Sequence, residues 1–127
     1  MSRPPFLSKA EDAATAAQAL FEKNLLDCAA SRAYYSVFHA ARAALIAAGV
    51  STPARGWSHE AIQGGFAQLT HRRKLYSSEL LSDLPQLLNL RLLADYAAES
   101  VSSRQADNAV KRAKRFVAAV VKVITSD

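Results

Sequence analysis

The chain has 127 residues, half of them hydrophobic, with 16 Lys and Arg against 11 Asp and Glu for a formal charge of +5. That length suits one helical domain spanning residues 1–127 with a core over about residues 9–124, and four Gly and four Pro are too few for a turn-rich β fold. The single cysteine, Cys28, excludes an internal disulfide and a cysteine-rich metal site, and the basic surplus suits an anionic partner as well as it suits solubility.

Taken in chain order, the first element starts at Ser8, with Glu11 three residues on at the spacing of a capping box. Ala13, Ala16, Ala17, Leu20 and Phe21 then recur at helical spacing, which predicts a helix from about Lys9 to Leu26. Asp27 is placed to cap a second helix and Gly49 to end it in the left-handed conformation; Cys28 is expected to be buried in it. "VSTPARGW" reads as a loop, and Ser58 opens a third helix in which Gly64 and Gly65 imply a kink or a close helix contact. A short turn precedes a fourth helix, with Pro85 in its first turn and Leu84, Leu87, Leu88, Leu92 and Tyr96 toward the core. The last helix begins near Ser103, with Ala106, Val110, Ala113, Val117, Val120, Val121 and Ile124 as its apolar stripe. No segment reads as a strand, so the fold class is all-α.

The second helix carries a polar row on an otherwise apolar segment, "ASRAYYSVFHAARAALIAAG". At roughly 100° per residue, Arg32 and His39 point within about 20° of each other, two turns and about 10.5 Å apart along the axis. Tyr35 lies between them, and Ser36 and Arg42 flank the same face; Tyr34, Val37, Phe38, Ala41, Ala44 and Leu45 form the opposite, core face. An unpaired arginine is too costly to bury, so the row faces water, a carboxylate or an anionic ligand. Asp95 is the carboxylate available to Arg32 from a neighbouring helix, and it is also four residues from Arg91, the spacing of a local ion pair beside Tyr96. His59, at the start of the third helix, is either an ordinary first-turn residue or one that meets a phosphate. The run at His71, Arg72, Arg73 and Lys74 suits a helix C-terminus. Arg104, Asn108, Lys111, Arg115 and Lys122 form a basic track on the last helix that reads equally as an RNA contact and as a solvated face. There is no H-x-x-x-H or C-x-x-C pair and no glycine-rich phosphate loop, so no metal or cofactor is expected.

"SRAYYSVFHAARAALIAAG", "SHEAI", "RLLADY" and "ADNAVKRAKRFV", in that order, resemble the HEPN superfamily (higher eukaryotes and prokaryotes nucleotide-binding), in its small stand-alone prokaryotic branch. The resemblance runs from about Asp12 to Ile124. It implies an up-and-down bundle of four to five helices that forms a homodimer. It also implies a metal-independent endoribonuclease of toxin–antitoxin type, whose antitoxin is often a minimal nucleotidyltransferase. The family's Arg-x4–6-His signature falls on Arg32 and His39 as the catalytic pair, with Tyr35, Ser36 and Asp95 in support. Arg42, His59, Arg91, Tyr96, Lys111 and Arg115 are the expected nucleotide or RNA contacts. Two positions depart from the active pattern. Ala33 stands where catalytic members usually carry a polar residue, and Ala41 stands where a tyrosine can be silenced by nucleotide transfer. The alternative implied by the same resemblance is a non-catalytic nucleotide-binding module or a partner of the nucleotidyltransferase. "MSRPPFLSKAEDAA" lacks the apolar run of a secretory signal, and no stretch of about 18 residues is apolar and uncharged, so a cytoplasmic location and no membrane span are expected.

Overall fold

A computed structural model describes residues 3–126. Its helices are α1 (Leu7–Glu22), α2 (Leu26–Ala47), α3 (His59–His71), α4 (Asp83–Tyr96) and α5 (Ser103–Thr125), with a 3₁₀ turn at Ser78–Ser82 before α4; no strand occurs among the described residues. The architecture is an all-helical bundle, and α2 is its axis, packed against each of the other four helices.

Helix boundaries follow from local chemistry. α1 starts two residues before the expected Lys9 because Leu7 is fully buried, and burying it draws the first turn into the core. Ser8 makes no capping bond, and Glu11 pairs instead with Arg3. α1 also stops short of Leu26. Asn24 adopts φ 61, the Asn24 N–H returns to the Phe21 carbonyl and the Leu25 N–H to the Leu20 carbonyl, which closes a Schellman motif. Asp27 does not cap α2: it sits in the first turn, and its carboxylate accepts the Val101 N–H at 2.9 Å, tying the start of α2 to the approach to α5. At the other end Gly49 takes φ 86, and the Val50 N–H reaches the Leu45 carbonyl at 3.0 Å, the glycine-terminated ending that the sequence implies. Ser58 caps α3 through the Ala61 N–H, and Ser102 with Gln105 forms a capping box on α5.

Alanines dominate the α1 and α2 share of the core, joined there by Leu7, Tyr34, Val37 and Leu45 and by larger residues from α3, α4 and α5. Ala10, Ala14 and Ala17 share it with Ala29, Ala33, Ala40 and Ala43. Ala109 and Phe116 on α5 are buried beside the expected stripe, of which Val121 and Ile124 lie at the margin. α4 contributes Leu84 and Leu87, and its last turns place Leu90 and Ala94 against a smaller cluster of Ala30, Val101 and Ala106, while Leu92, Leu93 and Tyr96 face outward and are exposed. Cys28 is exposed, not buried. Among the described residues, the one charged side chain with no exposure is Asp83, at the first position of α4. It receives Arg112 Nη1 at 3.0 Å and Arg115 Nη2 at 3.0 and 3.1 Å. Burial pushes its carboxyl above the usual range, and both guanidiniums pull it back.

The two adjacent glycines of α3 have different reasons. A Cβ on Gly65 would stand 2.8 and 3.1 Å from the two methyl carbons of Leu45, whereas one on Gly64 meets nothing within 4 Å. Gly65 therefore marks a close helix contact. Gly64→Ala is expected to gain most of the helical propensity difference of about 1 kcal/mol, raising Tm by about 3–6 °C. Gly65→Ala is expected to fall short of that gain in the same thermal melts, because Leu45 is fully buried and has little room to yield. Removing the carboxylate in Asp83→Ala is expected to cost about 2–3 kcal/mol in urea unfolding. That is less than the ~3–5 kcal/mol for a wholly buried pair, since the two partly exposed arginines can regain water.

Candidate functional site

Close packing leaves α2 a single narrow strip facing outward. Its flanks are closed by Ala33, Ala40 and Ala43, all without exposure. Ser36 belongs to the closed side: it is fully buried and donates its hydroxyl to the Ala33 carbonyl at 2.7 Å, so it does not join the polar row. Phe38, conversely, is only partly buried and borders the strip instead of the core face. The open strip consists of Arg32, Tyr35, His39 and Arg42.

Arg32 and His39 line one groove of about 360 Å³ with Lys9 and Asp12 of α1. Arg32 also borders a second groove with Asp27, Cys28 and Asp95. It lies over the Tyr35 ring at 5.0 Å, and Arg91 of α4 approaches the same ring at 5.1 Å. Asp95 bonds Arg91 at 3.2 Å, not Arg32. Among the described residues no carboxylate lies within ion-pair distance of Arg32, which leaves an exposed cation at the junction of two grooves.

His39 is held from several directions. Arg42 Nη2 lies 2.7 Å from its Nδ1. The Phe6 ring is stacked 6.1 Å away at 7° to the imidazole, and the Arg42 guanidinium stands 3.5 Å from the Phe6 centroid. Phe6 occupies the left-handed region at φ 73, a strained setting for an aromatic residue that brings its ring over the pair. A guanidinium only donates, so Nδ1 is the acceptor and the neutral ring carries its proton on Nε2. Burial, with Arg42, Lys9 and Arg32 adding like charge, pushes His39 down to about 4. At neutral pH the strip presents cations beside a neutral imidazole.

The remaining expected contacts divide. Arg91 stands over Tyr34 as well as Tyr35, which ties it to the strip. His59 stacks on the far side of this aromatic group, 6.3 Å from Tyr34, with Nδ1 buried and unpartnered. Tyr96 is 76% exposed at the last position of α4. Lys111 pairs with Asp107 at 2.9 Å on the outer face of α5. Arg115 is engaged by Asp83, so the basic track on α5 is partly a structural latch. Lys111 and Arg115 line neither of the grooves that Arg32 borders. Among the described residues no three His, Cys, Asp or Glu side chains are grouped to hold a metal ion, and no helix is long and apolar enough to cross a membrane. Sequence reasoning missed Lys9 and Asp12, whose helical spacing puts them on the α1 face toward α2, and Phe6, which carries no sequence signal for its role.

A histidine whose folded value lies below its unfolded one contributes stability that is complete above about pH 6.5 and lost as pH falls through about 4. The stability difference between wild type and His39→Asn, taken from urea unfolding, is therefore expected to shift in favour of the variant as pH falls from 7 to 4.

A sequence profile described as the HEPN domain matches residues 5–124. "Putative toxin MJ0605" of Methanocaldococcus jannaschii is 27% identical over 115 residues, covering 91% of this chain and 83% of that protein. "UPF0332 protein glr0978" of Gloeobacter violaceus is 30% identical over 113 residues, covering 87% of this chain and 86% of the relative. With the profile spanning nearly every residue of the bundle and of the Arg32–His39 strip, the chain belongs to the HEPN domain family.

Proposed function

We propose that this protein is a metal-independent endoribonuclease of toxin–antitoxin type, cytoplasmic, acting through Arg32 and His39. The observation that carries the reading is the shared groove. An arginine with no carboxylate within ion-pair distance among the described residues and a neutral histidine line the same opening. The word toxin in the name of the Methanocaldococcus relative supports the biological setting.

RNA supplies its own nucleophile. The 2′-OH attacks the adjacent phosphorus, its proton passes to a base, and the 5′-oxygen leaves with a proton, giving a 2′,3′-cyclic phosphate and a 5′-OH. Arg32 is suited to grip the non-bridging oxygens and to offset the charge that builds up at phosphorus. His39 is suited to move the proton. A homodimer supplies a second Arg32–His39 pair, so that one copy serves as base and the other as acid. Leu92, Leu93 and Tyr96, exposed at the end of α4, support such self-association. A nucleotidyltransferase antitoxin is the proposed partner in the cell.

A second reading is favoured by one observation. Ala33, directly after Arg32, is fully buried and offers no polar group to the groove. On this second reading the strip is a nucleotide-binding surface without cleavage. Purified protein incubated with total RNA and a chelator separates the two. The nuclease reading expects cyclic-phosphate ends in the presence of chelator, and losses of about 100-fold or more in both Arg32→Ala and His39→Ala. Undiminished cleavage by His39→Ala removes that residue from the mechanism. Tight ATP binding with no cleavage establishes the second reading.

A further inference from the structure

Arg42 differs from every other arginine whose bond to a charged or titratable side chain the structure describes. Arg3, Arg91, Arg112 and Arg115 each meet a carboxylate, whereas Arg42 meets an imidazole, and its Nε is buried without a partner. No carboxylate among the described residues lies within ion-pair distance to neutralise it. We propose that Arg42 is a positioning residue for His39: it holds the ring by Nδ1, fixes it in the Nε2–H form, and yields that bond to an entering phosphodiester.

The inference rests on the ribonuclease reading for its consequence but on geometry for its substance. The Nη2···Nδ1 separation of 2.7 Å takes up the only lone pair of the neutral ring. While that bond stands, His39 can donate from Nε2 but has nothing with which to accept a proton. The charged groups that share its groove are Lys9 and Asp12 of α1 and Arg32 of α2, and the rings beside it are Phe6, Tyr35 and Phe38. Cations predominate, so a phosphodiester anion is favoured there, and it is a stronger acceptor for Arg42 than an imidazole. Moving the Arg42 N–H from Nδ1 to a phosphoryl oxygen returns the lone pair to the ring. The 2′-OH proton, directly or through water, then adds at Nδ1 to give an imidazolium with both nitrogens protonated. The oxygen electron pair left behind forms the new bond to phosphorus as the bond from phosphorus to the 5′-oxygen breaks, and that oxygen leaves with a proton supplied by the second copy. The negative charge of the phosphate also makes the ring more basic than it is in the empty groove. Substrate binding and the arming of the base become one event, and Phe6 keeps the guanidinium on a flat surface across which it slides.

Histidine labelled with 15N reads this directly, since long-range proton–nitrogen spectra distinguish the two neutral tautomers. His71, at the far end of α3, serves as an internal reference. In wild type, His39 is expected wholly as the Nε2–H form. In Arg42→Met, which keeps an apolar stem over Phe6, it is expected as a mixture of tautomers with a titration midpoint higher by about one pH unit or more. Arg42→Lys, which retains a cationic N–H donor, is expected to restore the Nε2–H form. A saturating 2′-deoxy oligonucleotide, which has no nucleophile, is expected to raise the wild-type midpoint. A wild-type ring protonated on Nδ1, an Arg42→Met spectrum like the parent's, or a His39 signal unmoved by the oligonucleotide overturns the proposal. None of these measurements requires cleavage, so a protein that shows the expected spectra yet leaves RNA intact refutes the nuclease reading while the positioning role stands.

Discussion

The packing of α2 by four other helices is the constraint on which the site depends. A helix surrounded in this way can keep polar side chains only where its neighbours leave a gap, and α1 leaves a narrow one. The alanines of α1 and α2 allow close approach along most of their contact. Arg32, Tyr35, His39 and Arg42 occupy the remaining strip. Ser36, which shares their general direction on a helical wheel, falls just inside the contact and turns its hydroxyl back to its own helix. A shift of only tens of degrees separates a residue that can meet a ligand from one that fills space.

Electrostatics then sort the cations by the elements that face them. Asp83 draws Arg112 and Arg115 from α5 to the head of α4, and Asp95 draws Arg91 along α4 itself. These pairs spend their charge inside the fold, the first in a desolvated setting that lifts the carboxyl above its usual range. Arg32 and Arg42 are left with aromatic rings and an imidazole as neighbours. Aromatic faces attract a cation without neutralising it. The positive charge of the strip consequently remains available to an anion, which the net charge of +5 could not by itself have indicated.

Much of this was legible because it is local. The 3.6-residue period marked the helices, Gly49 and Ser58 marked two of their ends, and the seven-residue interval put Arg32 and His39 on one line. What escaped is what depends on distant partners. Asp83 and Arg115 are 32 residues apart in sequence, and nothing in either segment announces their bond, so Arg115 read as an RNA contact. Asp27 read as a cap because its type and position fit one, but the Val101 N–H, 74 residues away, took its carboxylate. Leu92 and Tyr96 keep the apolar period of α4, but its last turns bring Leu90 and Ala94 inward instead. Cys28 was misplaced by the same reasoning, since an apolar neighbourhood in sequence did not amount to burial in space. The Arg42–His39 bond lies between these cases. Its three-residue spacing was visible, but the direction of the bond, from guanidinium to Nδ1, is apparent only with the side chains in place.

That direction matters for how a basic groove can contain a general base. Cations that attract RNA also hold an adjacent histidine in its neutral form, as burial and three neighbouring cations do for His39. A very low proton affinity would leave the ring a weak base, since proton transfer is most effective when the pKa lies near the working pH. The conflict resolves if the ligand changes the field. Under the proposed reading a phosphodiester compensates the same cations that depress the ring, so that the empty and the filled groove hold different histidines. Under the proposed reading the imidazole is inert while it awaits substrate and basic once substrate is bound, and Arg42 is the group that couples the two conditions because it contacts the ring now and suits the phosphate later.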